Sequence, residues 1–131
     1  MKVKPGDIII KNKSILAGLM LYAFDENLII IICQVAQKFG FRMSESYRPM
    51  RHKNDVHGLM RAIDLTEWVY TKDQAQAIET WINKNWIYDP GRPWLKVARL
   101  HKVKGGVLHF HIQVHPNTIK RGENDKGPID K

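Results

Sequence analysis

The clearest alternation of apolar and polar positions lies in the stretch GVLHFHIQVH, residues 106–115. Apolar residues take every second position, at Leu108, Phe110, Ile112 and Val114. The positions between them hold His109, His111, Gln113 and His115. Because successive side chains of a β-strand point to opposite faces, the pattern predicts a strand with one buried face and one face of imidazoles. The run WLKVARLHKV, separated from it by KGG, predicts the partner strand of a hairpin.

Other segments have the spacing of amphipathic helices. In ENLIIIICQVAQKFG, we expect Asp25 to be the N-cap and the helix to stop at Gly40. In KDQAQAIETWINKNW, Thr71 with a glutamine three residues later forms a capping-box signature, and Trp81 is expected to face the sheet. A shorter run, SILAGLMLYAF after a Ser14 cap, predicts a first helix.

Three short strands and a polar C-terminus complete the pattern. The runs GDIIIKN, FRMSESYR and RAIDLTEW predict strands, the last with Ile63 and Leu65 on one face and Asp64 on the other. We expect one domain over residues 1–116 and a polar, flexible tail over residues 117–131. Helices and antiparallel strands segregated in this way indicate an α+β two-layer sandwich, with helices packed on a mainly antiparallel sheet.

Composition restricts the cellular context. At 131 residues the chain has the size of a single domain that buries its own core, and we expect a monomer. Its one cysteine, Cys33, lies in an apolar run, where we expect a core residue and no internal disulfide. The polar DEN segment interrupts the only long apolar region, so no membrane span is expected. The apolar stretch near the N-terminus is too short for a signal peptide and is followed at once by lysines. We therefore expect a protein that is cytoplasmic at synthesis.

The net charge of +8 predicts attraction to a polyanion. Nucleic acid, an anionic membrane surface and the acidic polymers of a bacterial cell wall all meet that description. The basic residues are scattered and are not interleaved with aromatic ones, as they are in a base-stacking platform. Charge alone therefore does not choose among these partners.

The histidine-lined strand suggests a metal site. His109 and His111 lie two positions apart on one face, and imidazole is the commonest metal ligand at neutral pH. Catalytic zinc takes three protein ligands, and VHGLMRAIDLT offers His57 in a loop and Asp64 on the next strand. A carboxylate between two apolar neighbours needs a partner, which a metal would supply. His115, beside a proline, is expected to belong only to the polar edge of the strand.

Taken together, SESYRPMRHKNDVHGLMRAIDLT and LHFHIQV resemble one zinc-peptidase superfamily. It groups D-Ala-D-Ala peptidases, phage L-alanyl-D-glutamate endolysins, lysostaphin-type enzymes and the hedgehog signalling domain. The resemblance rests on an upstream Ser-x-x-Arg-like element, a His-x6-Asp pair in an Ala-x-Asp frame and a His-x-His strand. It covers roughly Ser44 to His115.

The resemblance implies a zinc ion held by His57, Asp64 and His111. It also implies that His109 stands beside the metal and assists the chemistry. Arg48 matches the arginine that binds substrate or stabilises the oxyanion, and Ser46 supports the same loop. Zinc in such a site polarises the scissile carbonyl and lowers the pKa of its bound water, while His109 and Arg48 stabilise developing charge.

Two departures from the family pattern stand out. Met60 occupies a slot that often holds glycine, which we interpret as a packing difference. Many members carry a glutamate just before the last histidine as general base, whereas this chain has KVKGG there. His101, across the predicted hairpin, is the expected replacement, with Glu67 and Asp89 as lesser candidates. His52 is expected to be a loop residue.

Three functions are compatible with these patterns. The favoured one is a zinc-dependent peptidase that hydrolyses an amide bond in peptidoglycan peptides, of the cell-wall lytic or phage endolysin type. The missing glutamate leaves open a catalytically inactive, zinc-containing binding module, or a phage structural module carried in a virion. The least favoured is a basic nucleic-acid-binding or nuclease domain, which rests on charge and clustered histidines alone.

Overall fold

A computed structural model of the protein describes residues 2–15, 25–45, 53, 61–102 and 108–121. The strands are β1 (Ile8–Ile10), β2 (Phe41–Glu45), β3 (Ala62–Leu65), β4 (Trp86–Ile87), β5 (Ala98–Lys102), β6 (Leu108–Gln113) and β7 (Ile119–Lys120). The helices are α1 (Glu26–Lys38) and α2 (Lys72–Asn85), with a 3-10 helix at Glu67–Val69. The main sheet has the order β1-β2-β3-β6-β5, and β4 pairs with β7. Only the β1–β2 pairing is parallel among the described strands, so the α+β class and the mainly antiparallel sheet are confirmed.

Both long helices begin where the sequence predicts. The Asp25 carboxylate accepts from the first backbone N–H groups of α1, and Gly40 follows the end of this helix with a φ of 79°. At α2, Thr71 and Gln74 form the reciprocal capping box. These contacts satisfy N–H groups that a helix cannot satisfy internally, which explains why both helices begin so sharply.

The first helix begins differently from the prediction. Residues 13–15 are helical, and Asn12 Oδ1 accepts from the backbone N–H of Ile15 at 3.1 Å and from the Ser14 hydroxyl at 2.8 Å. The prediction of a Ser14 cap is therefore wrong, because Asn12 occupies the capping position. The rest of this predicted helix lies outside the described residues.

One apolar core joins the helices to the sheet. Its members include Leu28, Ile31 and Val35 of α1, Ala75, Ile78 and Ile82 of α2, and Ile63, Leu65, Phe110 and Ile112 of the sheet. Because strand side chains alternate, burying this face leaves Asp64, His109 and His111 on the other face.

Cys33 lies away from its expected position, whereas Trp81 packs against the core and remains partly exposed. Cys33 is exposed, which corrects the expectation of a core cysteine, because α1 turns Leu28, Ile31 and Val35 inward and Cys33 outward. Trp81 lies beside the buried stripe of α2, half-buried, with its ring edge-on to that of Phe39 at a centroid distance of 5.8 Å. Trp81 therefore links α2 to the end of α1.

The folded chain continues past the expected boundary at residue 116. Thr118 is buried, and its hydroxyl donates to the Tyr88 carbonyl at 2.7 Å. The strand β7 then pairs with β4, which no sequence pattern predicted. Residues 117–121 are therefore part of the folded unit, and residues 122–131 lie outside the described part. Among the described helices, none has both the length and the apolar character that crossing a bilayer requires.

Gly40 provides a test of the packing between α1, β2 and the N-terminal segment. A Cβ at Gly40 would lie 2.1 Å from the Lys4 carbonyl oxygen, in addition to the strain of its positive φ. We expect Gly40→Ala to lower the free energy of unfolding by about 2–4 kcal/mol.

Gly6→Ala is the matched control, because Gly6 also has a positive φ but no atom within 4 Å of the added Cβ. It should cost about 1–2 kcal/mol, from strain alone. Urea unfolding of both variants measures the difference. Equal losses in the two variants would contradict the close approach of Gly40 to Lys4.

Candidate functional site

Two of the three predicted zinc ligands meet on the open face of the sheet. In the antiparallel register of β3 and β6, Asp64 lies directly opposite His111. The Asp64 Oδ1 and His111 Nδ1 atoms are 2.8 Å apart. Both side chains are largely covered, with exposed fractions of 20% and 16%. The interaction is therefore shielded from bulk water more than a surface ion pair is.

Gln113 contacts the second ring nitrogen of His111 and orients the ring. The Gln113 amide Nε2 donates to the Lys96 carbonyl at 3.2 Å, so its oxygen is the atom that faces His111. That oxygen lies 3.2 Å from His111 Nε2 and can only accept a hydrogen bond. Nε2 is therefore the donor, and Nδ1 is directed at the Asp64 carboxylate.

The 2.8 Å distance between Nδ1 and Oδ1 is that of a hydrogen bond, in which one proton lies between the two atoms. A metal ion that binds both atoms would take the place of that proton. A metal-binding histidine commonly donates its other N–H to a protein oxygen, as His111 does to Gln113. The pair thus has both donor atoms and an orienting partner for a metal.

The donor set fits zinc in its chemistry and nearly in its spacing. Zinc binds nitrogen and oxygen ligands at about 2.0–2.2 Å, so two ligands of a tetrahedral site lie about 3.3 Å apart. The observed distance between Asp64 Oδ1 and His111 Nδ1 is 2.8 Å. A difference of about 0.5 Å is within the range of small side-chain rotations. Within the described ranges, no group of three His, Cys, Asp or Glu side chains could hold a metal. A zinc site at this pair would need a further protein donor from outside these ranges, and His57 lies outside them.

His109 and His101 form a second pair beside the first. They are register partners on β6 and β5, and their rings meet edge-on at a centroid distance of 5.9 Å. Partial burial lowers the pKa of His101, and the nearby charges of Arg99, His109 and His111 lower it further, whereas Asp64 raises it. A lowered pKa keeps the His101 ring unprotonated at neutral pH, as a proton acceptor requires.

An open cleft of about 420 Å³ lies over this face of the sheet, and Asp64 and His109 form part of its wall. Two carboxylates, Glu45 and Glu67, line the same cleft. The sequence suggests Glu67 as a lesser candidate, whereas no sequence pattern points to Glu45. Glu45 lies opposite Asp64 in the register of β2 and β3, immediately after a shift in that register. The cleft therefore offers acid–base groups that do not come from the strand of His111.

The remaining candidates divide into structural residues and residues outside the described part. Asp89 accepts from Arg92 at 2.7 Å and from the Gly91 backbone at 3.0 Å, so it holds a turn. His115 Nδ1 accepts from the Asn117 backbone at 3.1 Å, as expected for a residue at the strand edge. Four further candidates lie outside the described residues: Ser46, Arg48, His52 and His57.

Metal affinity tests whether Gln113 orients the ring of His111. We expect Gln113→Leu to weaken zinc binding by about 10- to 100-fold, because His111 loses the acceptor that fixes its ring. Competition with a chromogenic chelator measures the affinity. Gln37→Leu, at an exposed position of α1, is the control and should bind zinc as the wild type does. Unchanged affinity in Gln113→Leu would rule out the orienting role.

The lowered pKa of His101 predicts how the stability of the fold depends on pH. Its pKa is lowered in the folded chain, so below about pH 6.5 the unfolded chain takes up a proton that the folded chain resists. Stability should fall as the pH drops below this value and level off below the folded pKa. Urea unfolding in the presence of a chelator should show less acid destabilisation for His101→Gln than for the wild type. Identical pH profiles would contradict the lowered pKa.

Comparisons with known proteins identify no family for this chain. It matches none of the family models, curated proteins or solved structures with which it was compared. What the site does is therefore inferred from its geometry and from the motif that its residues form in the sequence.

Proposed function

We propose that the protein is a zinc-dependent peptidase that hydrolyses an amide bond in peptidoglycan peptides. The observation that carries this proposal is the 2.8 Å contact between Asp64 Oδ1 and His111 Nδ1, with His111 oriented by Gln113. These are two of the three ligands that the resemblance to the zinc peptidases implies. The ordered motif in the sequence and the pairing in the fold support the same site independently.

His57, Asp64 and His111 would hold the zinc ion. When bound, zinc supplies a Lewis acid that polarises a carbonyl and makes water a stronger nucleophile near neutral pH. Asp64 contributes a negative charge, and His111 contributes a neutral nitrogen whose direction Gln113 sets. The partial burial of Asp64 and His111 strengthens their electrostatic interaction with a cation.

The neighbouring residues would handle protons and developing charge. His109 is exposed at the wall of the cleft, where its ring can donate a hydrogen bond to a substrate oxygen. His101, unprotonated because of its lowered pKa, could accept a proton from the attacking water and deliver it to the leaving amine. Arg48 would stabilise negative charge on the substrate, and Ser46 would support the segment that carries Arg48.

The cleft and the net charge support a cell-wall substrate. The cleft is open along the sheet, and its volume of about 420 Å³ is within the range of sites that bind small ligands. A chain with a net charge of +8 is attracted to the anionic polymers that surround wall peptides.

Metal removal tests the proposal directly. The zinc-loaded protein should release soluble fragments from purified bacterial cell walls, and chelation should abolish that release until zinc is restored. His57→Ala, Asp64→Asn and His111→Ala should each lose stoichiometric zinc and hydrolysis, because each removes one proposed ligand. Turbidity loss and elemental analysis measure the two properties.

The controls separate the possible outcomes. His115→Ala should retain zinc and activity, because His115 packs against Tyr88 away from the cleft, with ring centroids 5.7 Å apart. Failure of the wild type to bind zinc stoichiometrically would refute the proposal. Stoichiometric zinc with no hydrolysis of any wall would identify a binding module instead of an enzyme.

A further inference from the structure

Arg42 lies at the β2 side of the same cleft and has a fixed position. Its Nη1 donates to the Thr66 hydroxyl at 2.7 Å, and its guanidinium carbon lies 5.4 Å from the centre of the Trp68 ring. Thr66 is buried, and its own backbone N–H donates to the Arg42 carbonyl at 2.8 Å. An arginine held by a hydrogen bond and by an aromatic face loses little entropy when it binds a ligand.

The guanidinium of Arg42 retains donors for a ligand. Within the described part of the chain it forms no ion pair, although Glu45 and Glu67 line the same cleft. A guanidinium has five N–H donors in a planar fork, and the bond to Thr66 uses one side of it. Lys11, which also lines the cleft, adds a second positive charge to its wall. Paired N–H groups of arginine match the two oxygens of a carboxylate.

We infer that Arg42, with Lys11, binds a carboxylate of the substrate, and that the substrate is therefore an acidic peptide. This inference rests on the proposed function and specifies its substrate class. Thr66 follows Asp64 by two positions, about 7 Å along an extended chain. A peptide strand spans about 3.3 Å per residue, so the bound carboxylate lies within about two residues of the amide that reaches Asp64 and His111. The carboxylate is either the C-terminus of the peptide or an acidic side chain.

Peptide binding to the zinc-loaded, full-length protein tests this inference. The probes are the stem pentapeptide L-Ala-D-Glu-L-Lys-D-Ala-D-Ala, its C-terminal amide, and its analogue with isoglutamine in place of glutamate. The wild type should bind one of the two neutralised analogues about 10- to 100-fold more weakly than the parent. Which analogue weakens identifies which carboxylate is bound.

The variant Arg42→Met completes a double-mutant cycle. It should bind the parent peptide about 10- to 100-fold more weakly than the wild type does, and should no longer distinguish the parent from the affected analogue. Arg42→Lys should recover part of the affinity, because it keeps the charge without the planar fork. Lys72→Met, at the exposed start of α2, removes the same charge and should bind as the wild type does.

The readouts separate failure of the inference from failure of the proposed function. Equal losses for the parent and both analogues in Arg42→Met would overturn the inference and assign Arg42 a structural role. Wild-type protein that binds all three peptides equally, or none of them, would also overturn it, even if zinc binding and wall hydrolysis are found. If the protein binds the peptides in a carboxylate-dependent way but hydrolyses no cell wall, the carboxylate-binding role of Arg42 is supported and the proposed peptidase activity is refuted. Thermal unfolding shows whether Arg42→Met is folded, and Arg42→Lys gives the same comparison if it is not.

Discussion

The contact between Asp64 and His111 depends on the register of β3 and β6, and the rest of the site depends on that contact. Strand side chains alternate between faces, so a slip of one residue in either strand would turn its polar group into the core. The register is fixed from the other face, where Ile63 pairs with Ile112 and Leu65 with Phe110, all buried. Apolar packing on one side of the sheet thus positions a carboxylate and an imidazole on the other.

The same register extends across the sheet to the neighbouring strand. Because β5 pairs with β6, it places Arg99 opposite His111 and His101 opposite His109. The charge of Arg99 near His101 is one cause of the lowered pKa of that ring, after burial. A single alignment of three strands therefore determines both the proposed ligand pair and the ionisation of the proposed proton acceptor.

The sequence predicted those features that depend on local periodicity. The caps at Asp25 and Thr71, the alternation in β6 and the outward direction of Asp64 all follow from short patterns. Glu45 was missed because parity with Phe41 and Met43 assigns it to the buried face, whereas the register shift after Met43 changes its surroundings. Pairing of β4 with β7 was missed because two-residue strands have no period to detect. The order of the strands depends on packing between distant segments, which a single sequence does not reveal.

The cleft is lined by side chains of both charges, and the position of Arg42 relative to Asp64 bears on how a peptide would lie in it. Glu45 and Asp64 are register partners, so two carboxylates lie side by side, one of them in contact with His111. A bound cation would offset the repulsion between them. Arg42, held by Thr66 and Trp68, supplies a fixed positive charge at Thr66, two positions along the chain from Asp64. An acidic peptide held by its carboxylate at Arg42 would have its amide directed towards Asp64 and His111, and this would fix its direction along the sheet.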